Sequence, residues 1–185
     1  MENRNKQKTL APLPQLSGFI FRRFEGPGDY QGMVDIIMSN VDDPNSHVTS
    51  LEDITTDYAH ISESVPVRDM VFTFHAEQPV AYCRSTCMWE ESSNSWIYGW
   101  LLHVHHDWKR KGIEEALVGW LEDQALLNHQ ILHPEAAGMH SVFFSESDQH
   151  RLDIVQNRGY SPTRYFEDMK RDLIEIPDYP FPEGI

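Results

Sequence analysis

The sequence predicts a single domain of mixed α/β (α+β) class, built around a strand, a basic loop and a helix between Trp96 and Asn128. A chain of 185 residues is a usual length for one domain and is long enough to bury a core. Apolar runs separated by short polar turns before Trp96 are typical of an antiparallel meander. Apolar residues spaced by three and four after Gly112 indicate an amphipathic helix. These patterns place a strand-to-helix corner at the centre of the fold.

The first elements lie behind a polar, proline-containing N-terminus. We interpret residues 1–17 as a tail, assign the domain to residues 18–174, and interpret residues 175–185 as a C-terminal tail or linker. The aromatic and aliphatic run Phe19–Phe24 predicts a first strand, which a Gly-Pro-Gly sequence ends. Apolar residues at helical spacing predict a first helix from about Asp29 to Val41.

A second helix is predicted to begin near Leu51. Thr49 and Ser50 are both good N-cap residues, and Glu52 or Asp53 follows at the spacing of a capping box. This spacing therefore fixes the start of the helix better than its end.

Three strands follow as a meander. The first is predicted over Asp69–His75, and a tight reversal at Ala76–Gln78 leads into the second, Val80–Trp89. A polar, turn-rich segment at residues 90–95 then leads into the central strand, Trp96–Val104.

The C-terminal part of the domain supplies the remaining elements. The apolar run Met139–Phe144 predicts a buried strand, and a short helix is predicted from Asp148 to Arg158. Gly159 is placed to cap the C-terminus of that helix. The segment Tyr165–Leu173 predicts a last strand.

The loop between the central strand and its helix has the chemistry of an anion site. Lys109, Arg110 and Lys111 concentrate positive charge there, although the whole chain carries a net charge of -14. Gly112 then precedes the helix, whose first N–H groups and positive dipole end face the loop. Such a corner favours a bound anion, commonly a phosphate.

The same segment carries a family resemblance. Residues 104–117 resemble the acyl-CoA loop of the GNAT N-acyltransferase superfamily, in which Arg/Gln-x-x-Gly-x-Gly/Ala precedes a helix. Lys109 stands at the Arg/Gln position and Gly112 at the first glycine. The order of elements from about Phe19 to Asp172 also resembles that family. The resemblance implies a mixed, mostly antiparallel sheet with helices on both faces.

The resemblance also implies a cofactor and its contacts. The cofactor is acetyl-CoA (coenzyme A), and the acceptor is a small-molecule amine. In the family, loop amides hold the pyrophosphate, which here assigns that role to Lys109, Arg110, Lys111, Gly112 and Ile113. The end of the central strand pairs with the pantetheine arm and the acyl carbonyl, which assigns that role to Leu102, His103 and Val104.

Residues for acid and base catalysis are not identified by this resemblance. The central strand lacks the usual carboxylate and offers Tyr98 and His103 instead, and Val155 stands where the family often has a tyrosine. Glu114 stands where a glycine or alanine is usual. Its carboxylate either faces the ligand, where like charges would repel, or turns outward and helps the helix begin. The alternative function is therefore a catalytically silent GNAT-like domain with a binding or assembly role beside an active domain.

The histidines of the central segment do not predict a metal site. On a strand His103 and His105 share a face while His106 points the other way, and Asp107 alone completes no usual ligand set.

Charge and composition limit the partners. An acidic chain disfavours general binding to nucleic acid or to anionic membranes, and no apolar run approaches the ~20 residues of a membrane span. Cys83 and Cys87 are interpreted as reduced thiols, which fits a cytoplasmic location.

The spacing Pro-x-x-x-Gly-apolar occurs both at Pro14 and at Pro180, which suggests a linker towards a second GNAT domain; a homodimer is the other arrangement considered.

Overall fold

The computed structural model describes residues 10–43, 47–62, 64–167 and 169. Strands β1–β5 and helices α1–α5 have the following bounds in chain order: β1 Ile20–Arg23, α1 Tyr30–Met38, α2 Leu51–Ala59, α3 Pro66–Asp69, β2 Met70–His75, β3 Gln78–Glu90, β4 Ser95–Val104, α4 Ile113–Leu132, β5 Ala137–His140 and α5 Gln149–Asn157. Short 3-10 turns lie at Pro27–Asp29 and His106–Trp108.

The strands form one five-stranded sheet in the order β1-β2-β3-β4-β5. The first four strands pair antiparallel, and β5 pairs parallel to β4. Helices cover both faces of this sheet, so the predicted fold class is confirmed. The β4–β5 ladder joins Ser95–Tyr98 to Ala137–His140, and the last bond beyond it runs from the Ser141 N–H to the Tyr98 carbonyl at 3.0 Å. In the described part of the chain no further ladder pairing joins β5 to the second half of β4, residues 99–104, and we call this unpaired edge the gap beside β4.

Two apolar clusters hold the helices on the sheet. The cluster under α4 includes Leu102 and Val104 of β4 with Ile113, Leu117 and Leu121 of α4. The cluster on the opposite face joins α1 and α2 to β2 and β3, with the members Phe24, Met33, Ile36, Ile37, Ile54, Met70, Phe72 and Tyr82. Burial of large apolar side chains at about 25 cal/mol per Å² is the main driving force for this arrangement.

A buried polar chain ties the N-terminal segment to the domain. The Ala11 N–H donates to Gln124 (3.1 Å), Gln124 donates to Asn128 (3.0 Å), and Asn128 donates to Asp69 (3.0 Å). Ala11 is buried, and its carbonyl accepts from Arg23 at 2.6 Å. The part of the predicted tail that begins at Ala11 therefore packs on the domain.

Sequence-predicted capping is confirmed in two helices. Ser50 caps α2 and makes the reciprocal capping box with Asp53. At the end of α5, Gly159 adopts a positive φ of 90°, and the Tyr160 N–H reaches the Val155 carbonyl at 3.1 Å. This pattern is a Schellman motif, which satisfies the last carbonyls of the helix.

Two predicted strands differ from the structure. The run Met139–Phe144 was expected to be buried, but β5 begins earlier, at Ala137, and its residues are exposed or half-buried because its outer face is not covered by described residues. Residues 165–167 of the last predicted strand form no strand, and most of that segment, like residues 175–185, lies outside the described residues.

The first helix ends at Met38, before the predicted Val41. Among the described helices, none combines the length and apolar character that crossing a bilayer requires.

Candidate anion site at the start of helix α4

The corner between β4 and α4 is shaped by two residues with left-handed backbone. Gly112 is the N-cap of α4 with φ 83°, and Arg110 has φ 61°. A left-handed residue costs an L-amino acid about 1–2 kcal/mol, which explains a glycine at the cap. Left-handed residues in a loop are typical of the backbone concavities that bind anions through N–H groups.

The other side of the corner is anchored to helix α1. The Asn40 side chain donates to the Val104 carbonyl at 3.0 Å, and the His106 N–H donates to the Ser39 hydroxyl at 3.1 Å. These two bonds fix the end of β4 and the start of the loop relative to the C-terminal end of α1.

The three basic loop residues point to different places. The Lys109 ammonium lies 3.3 Å from the Asp43 carboxylate, and the Lys111 ammonium lies 4.3 Å from the centroid of the Trp108 ring. Lys109 and Arg110 line a cleft of about 380 Å³, whereas Lys111 is not among its lining residues. The structure therefore brings together two of the three predicted cations.

The cleft lies between the N-termini of α4 and α5. Its lining residues are Asp43, Lys109, Arg110, Glu114, Ser147, Asp148, His150 and Arg151. The last four come from the α5 region, and sequence reasoning assigned none of them to the anion site. The only signal that could have found them is the order of elements, since a helix that follows β5 returns to the gap beside β4.

Glu114 faces the loop and not the solvent. Its side chain is 2% exposed, and one carboxylate oxygen accepts the Arg110 N–H at 3.1 Å. Of the two orientations open to it from sequence, the carboxylate adopts the one directed at the predicted anion site.

Of the three strand residues predicted to bind the pantetheine arm, two have backbone groups that face the gap beside β4 and one has backbone groups that face β3. The His105 N–H bonds back to Val80 on β3, so the alternation of an antiparallel ladder turns the backbone groups of His103 towards β3 as well. The backbone groups of Leu102 and Val104 then face the gap beside β4. The side chains of Leu102, Val104 and Ile113 are buried, so only their backbone could meet a ligand.

Tyr98 and His103, the two candidate catalytic residues, lie on opposite faces of β4. The buried Tyr98 hydroxyl lies 3.0 Å from His133 Nδ1 and 3.3 Å from His129 Nδ1, at the C-terminal end of α4. Burial raises the pKa of Tyr98 to about 12. Tyr98 therefore contacts the far end of α4, away from the loop.

His103 faces the α1–α2 side of the sheet. Its ring stacks on Tyr82 at a centroid distance of 5.0 Å and meets His47 edge-on at 6.1 Å. Burial, with smaller contributions from Arg151, His47 and Arg84, lowers the pKa of His103 to about 4. The imidazole is therefore neutral near pH 7 and offers a lone pair.

Val155, which stands where the family often has a tyrosine, is buried in α5 and carries no group that could donate a proton. Asp148 caps the same helix by accepting the Arg151 N–H at 3.3 Å.

Among the residues that the structure describes, two groups of side chains bring ligand-type atoms within 4.8 Å of one another: His105 with His106 and Asp107, and Glu114 with Glu115 and His150. The first group is an exposed surface contact in which His106 Nε2 lies 2.9 Å from Asp107 Oδ1. The second borders the cleft. Neither is assigned a metal.

Comparisons with known proteins identify the fold. No protein-family model matches this sequence, and no curated protein matches it. Its structure is similar to a GCN5-related N-acetyltransferase from Sphaerobacter thermophilus, with 18% identity and TM-score 0.58 over 82% of this chain and 45% of that chain. It is also similar to a putative acetyltransferase from Salmonella typhimurium with its cofactor acetyl-CoA, with 10% identity and TM-score 0.59 over 80% of this chain and 82% of that chain.

A third similar structure is an aminoglycoside acetyltransferase from an uncultured soil metagenomic sample, in complex with trehalose. It is 12% identical, with TM-score 0.55 over 84% of this chain and 97% of that chain. The chain spans less than half the length of the Sphaerobacter protein. At these identities the similarity is one of fold, and the GNAT resemblance seen in the sequence is confirmed as a GNAT fold.

Proposed function

We propose that this chain, which has the GNAT fold, is an acetyl-CoA-dependent N-acetyltransferase that acts on a small amine. The observation that carries the proposal is the corner at Gly112, where a left-handed cap residue begins a 20-residue helix beside a cleft lined by Lys109 and Arg110. Helix N-termini with such amides bind phosphate groups. A similar structure contains acetyl-CoA as its cofactor, which supports the same ligand here.

Each part of the site has a proposed role. The amides from Arg110 to Ile113 and the Lys109 side chain hold the diphosphate, and the backbone of Leu102 and Val104 holds the pantetheine arm and the acyl carbonyl. Bound acetyl-CoA supplies an activated thioester for attack by an amine. Backbone N–H groups directed at a carbonyl oxygen stabilise the negative charge that develops during acyl transfer.

The acceptor amine enters from the α1–α2 side in this proposal. His103 faces that side and is neutral near pH 7, so it can accept a hydrogen bond or a proton from the amine. Its low pKa makes it a weak base, which favours a positioning role over complete proton removal. The exposed acidic residues Glu52 and Asp57 of α2 are available to attract a cationic amine.

One observation favours the alternative, a catalytically silent domain with a binding or assembly role. The carboxylate of Glu114 already accepts a loop amide that the diphosphate would need. This contact would weaken acetyl-CoA binding, which a silent domain tolerates and an acetyltransferase does not.

The test is a calorimetric titration of the whole chain with acetyl-CoA. We expect binding that Lys109→Ala or Arg110→Ala weakens, because both side chains line the cleft. Lys111→Ala is the matched control, since its ammonium lies over Trp108, and it should leave the Kd unchanged.

Turnover is measured separately, by release of the free CoA thiol with a panel of small amines. Binding with thiol release supports the enzyme. Binding without release by any amine, or no binding at millimolar acetyl-CoA, supports the silent domain.

A further inference from the structure

The Glu114 carboxylate sits where an external anion would bind. Glu114 is the second residue of α4, is 2% exposed, and accepts the Arg110 N–H at 3.1 Å through Oε1. The positive end of a helix dipole stabilises a carboxylate at this position. The side chain thus uses one of the loop amides that the proposed function assigns to the diphosphate.

Beyond the Arg110 N–H, the Glu114 carboxylate has few hydrogen-bond partners among the described residues. Its second oxygen, Oε2, is buried and makes no hydrogen bond to the described residues. His150 Nε2 lies 3.8 Å from Oε1, is also buried, and likewise makes no hydrogen bond to the described residues. Buried charged groups normally have more partners, because each lost water contact must be replaced. A carboxylate held by one amide and a distant imidazole is a ligand that a better anion could displace.

The cleft beside Glu114 is balanced in charge by its own side chains. Three lysine or arginine residues and three carboxylates line it. Lys109 lies 3.3 Å from Asp43, and Arg151 Nε lies 3.3 Å from Asp148 Oδ2. An incoming diphosphate therefore meets a site in which Lys109 and Arg151 already have acidic partners, and Glu114 is the lining carboxylate that occupies a backbone amide.

We infer that Glu114 is an internal ligand of the loop, which an external diphosphate must displace, and that this competition sets the affinity of the site. The inference rests on the proposed function for the identity of the ligand. It makes Glu114 a specificity-determining residue: ligands that carry a diphosphate bind only by expelling its carboxylate.

The experiment compares the wild type with Glu114→Ala, Glu114→Gln and the control Glu115→Ala. Glu115 is the exposed neighbour on the same helical turn, so its replacement removes one negative charge but keeps the Glu114 carboxylate on the Arg110 N–H. Calorimetry with CoA and with inorganic pyrophosphate gives the Kd values. The amide resonance of Arg110, recorded by NMR without ligand, reports the internal contact. Melting temperatures show whether each variant is folded, and Glu114→Gln retains the shape of the side chain.

We expect Glu114→Ala to bind both probes at least tenfold more tightly than the wild type, a gain of about 1.4 kcal/mol. Glu114→Gln should gain less, because it removes the charge while an amide oxygen still fills the loop. The Arg110 resonance should move in Glu114→Ala and stay in place in Glu115→Ala, whose Kd values should lie within about twofold of the wild type because the charge of the exposed Glu115 is screened by salt.

The remaining outcomes separate this inference from the proposed function. Equal Kd values for wild type and Glu114→Ala, within twofold for both probes, overturn the inference and leave acetyl-CoA binding intact. Tighter pyrophosphate binding by Glu114→Ala, with no form binding CoA, supports the internal ligand and overturns the proposed function. An Arg110 resonance that does not move in Glu114→Ala, or no binding of either probe by any form, overturns the inference.

Discussion

Replacing Gly112 with valine tests whether the loop backbone is what binds the ligand. Gly112 has φ 83°, a conformation that an L-residue rarely adopts. A Cβ at this position would meet the Leu16 side chain at 3.7 Å, which is ordinary van der Waals contact. The cost of the substitution therefore comes from the backbone conformation and not from a clash.

The expected effect on stability follows from that conformation. A β-branched residue in the left-handed region costs about 2 kcal/mol, which lowers the melting temperature of a domain of this size by about 4–8 °C. The expected effect on binding is separate. Acetyl-CoA at ten times the wild-type Kd stabilises the native state by about 1.4 kcal/mol, or about 3–6 °C. Gly112→Val should lose this ligand-dependent shift, because the strained cap cannot hold its amides in register.

The assay is thermal unfolding of each variant with and without acetyl-CoA. Gly112→Asn is the first control, since asparagine tolerates left-handed backbone and should retain most of the ligand shift. Gly28→Val is the second, because a Cβ there meets nothing within 4 Å and the residue lies outside the cleft. If Gly112→Val keeps the full ligand-dependent shift, the loop amides do not bind the cofactor and the reasoning is refuted.

Three further predictions concern the buried polar groups. Asn128→Leu should lower the free energy of unfolding in urea by about 2 kcal/mol, because it removes the bond that Gln124 donates to Asn128 and the bond that Asn128 donates to Asp69; no change would contradict the buried chain. His103 should titrate near pH 4 by NMR. Because that pKa lies below the unfolded value near 6.5, its contribution to stability should be complete above pH 6.5 and decrease as the pH falls towards 4; a titration near 6.5 would contradict it. Tyr98→Phe should cost about 1 kcal/mol in a urea melt and leave the Kd for acetyl-CoA unchanged, and a large loss of affinity would place Tyr98 in the site.

Local signals in the sequence predicted most of the fold. The helical spacing after Gly112 identified α4, the pair Ser50 and Asp53 located the start of α2, and Gly159 located the end of α5. These signals succeed because caps and amphipathic faces are decided by residues within one or two turns.

Long-range contacts account for what the sequence did not predict. His150 and Arg151 approach Glu114 only because α5 packs beside the start of α4, and nothing in their local sequence indicates that contact. The short helix α3 was not predicted, and its last residue, Asp69, was predicted to begin the next strand, although Pro66 at the first turn is a usual start signal. The orientation of Glu114 was also undecided from sequence, since a glutamate in a first helical turn is stabilised whether it faces solvent or the loop. In the structure the Glu114 carboxylate faces the loop, where it accepts a hydrogen bond from the Arg110 N–H.

The central claim is that the corner at Gly112 is the cofactor site, and an NMR titration with acetyl-CoA tests it most directly. The amide resonances of Arg110–Ile113, together with those of Leu102 and Val104, should move with one common Kd in the wild type, and with a lower Kd in Glu114→Ala. Resonance changes confined to other parts of the chain, or none in either form at millimolar acetyl-CoA, would contradict the claim.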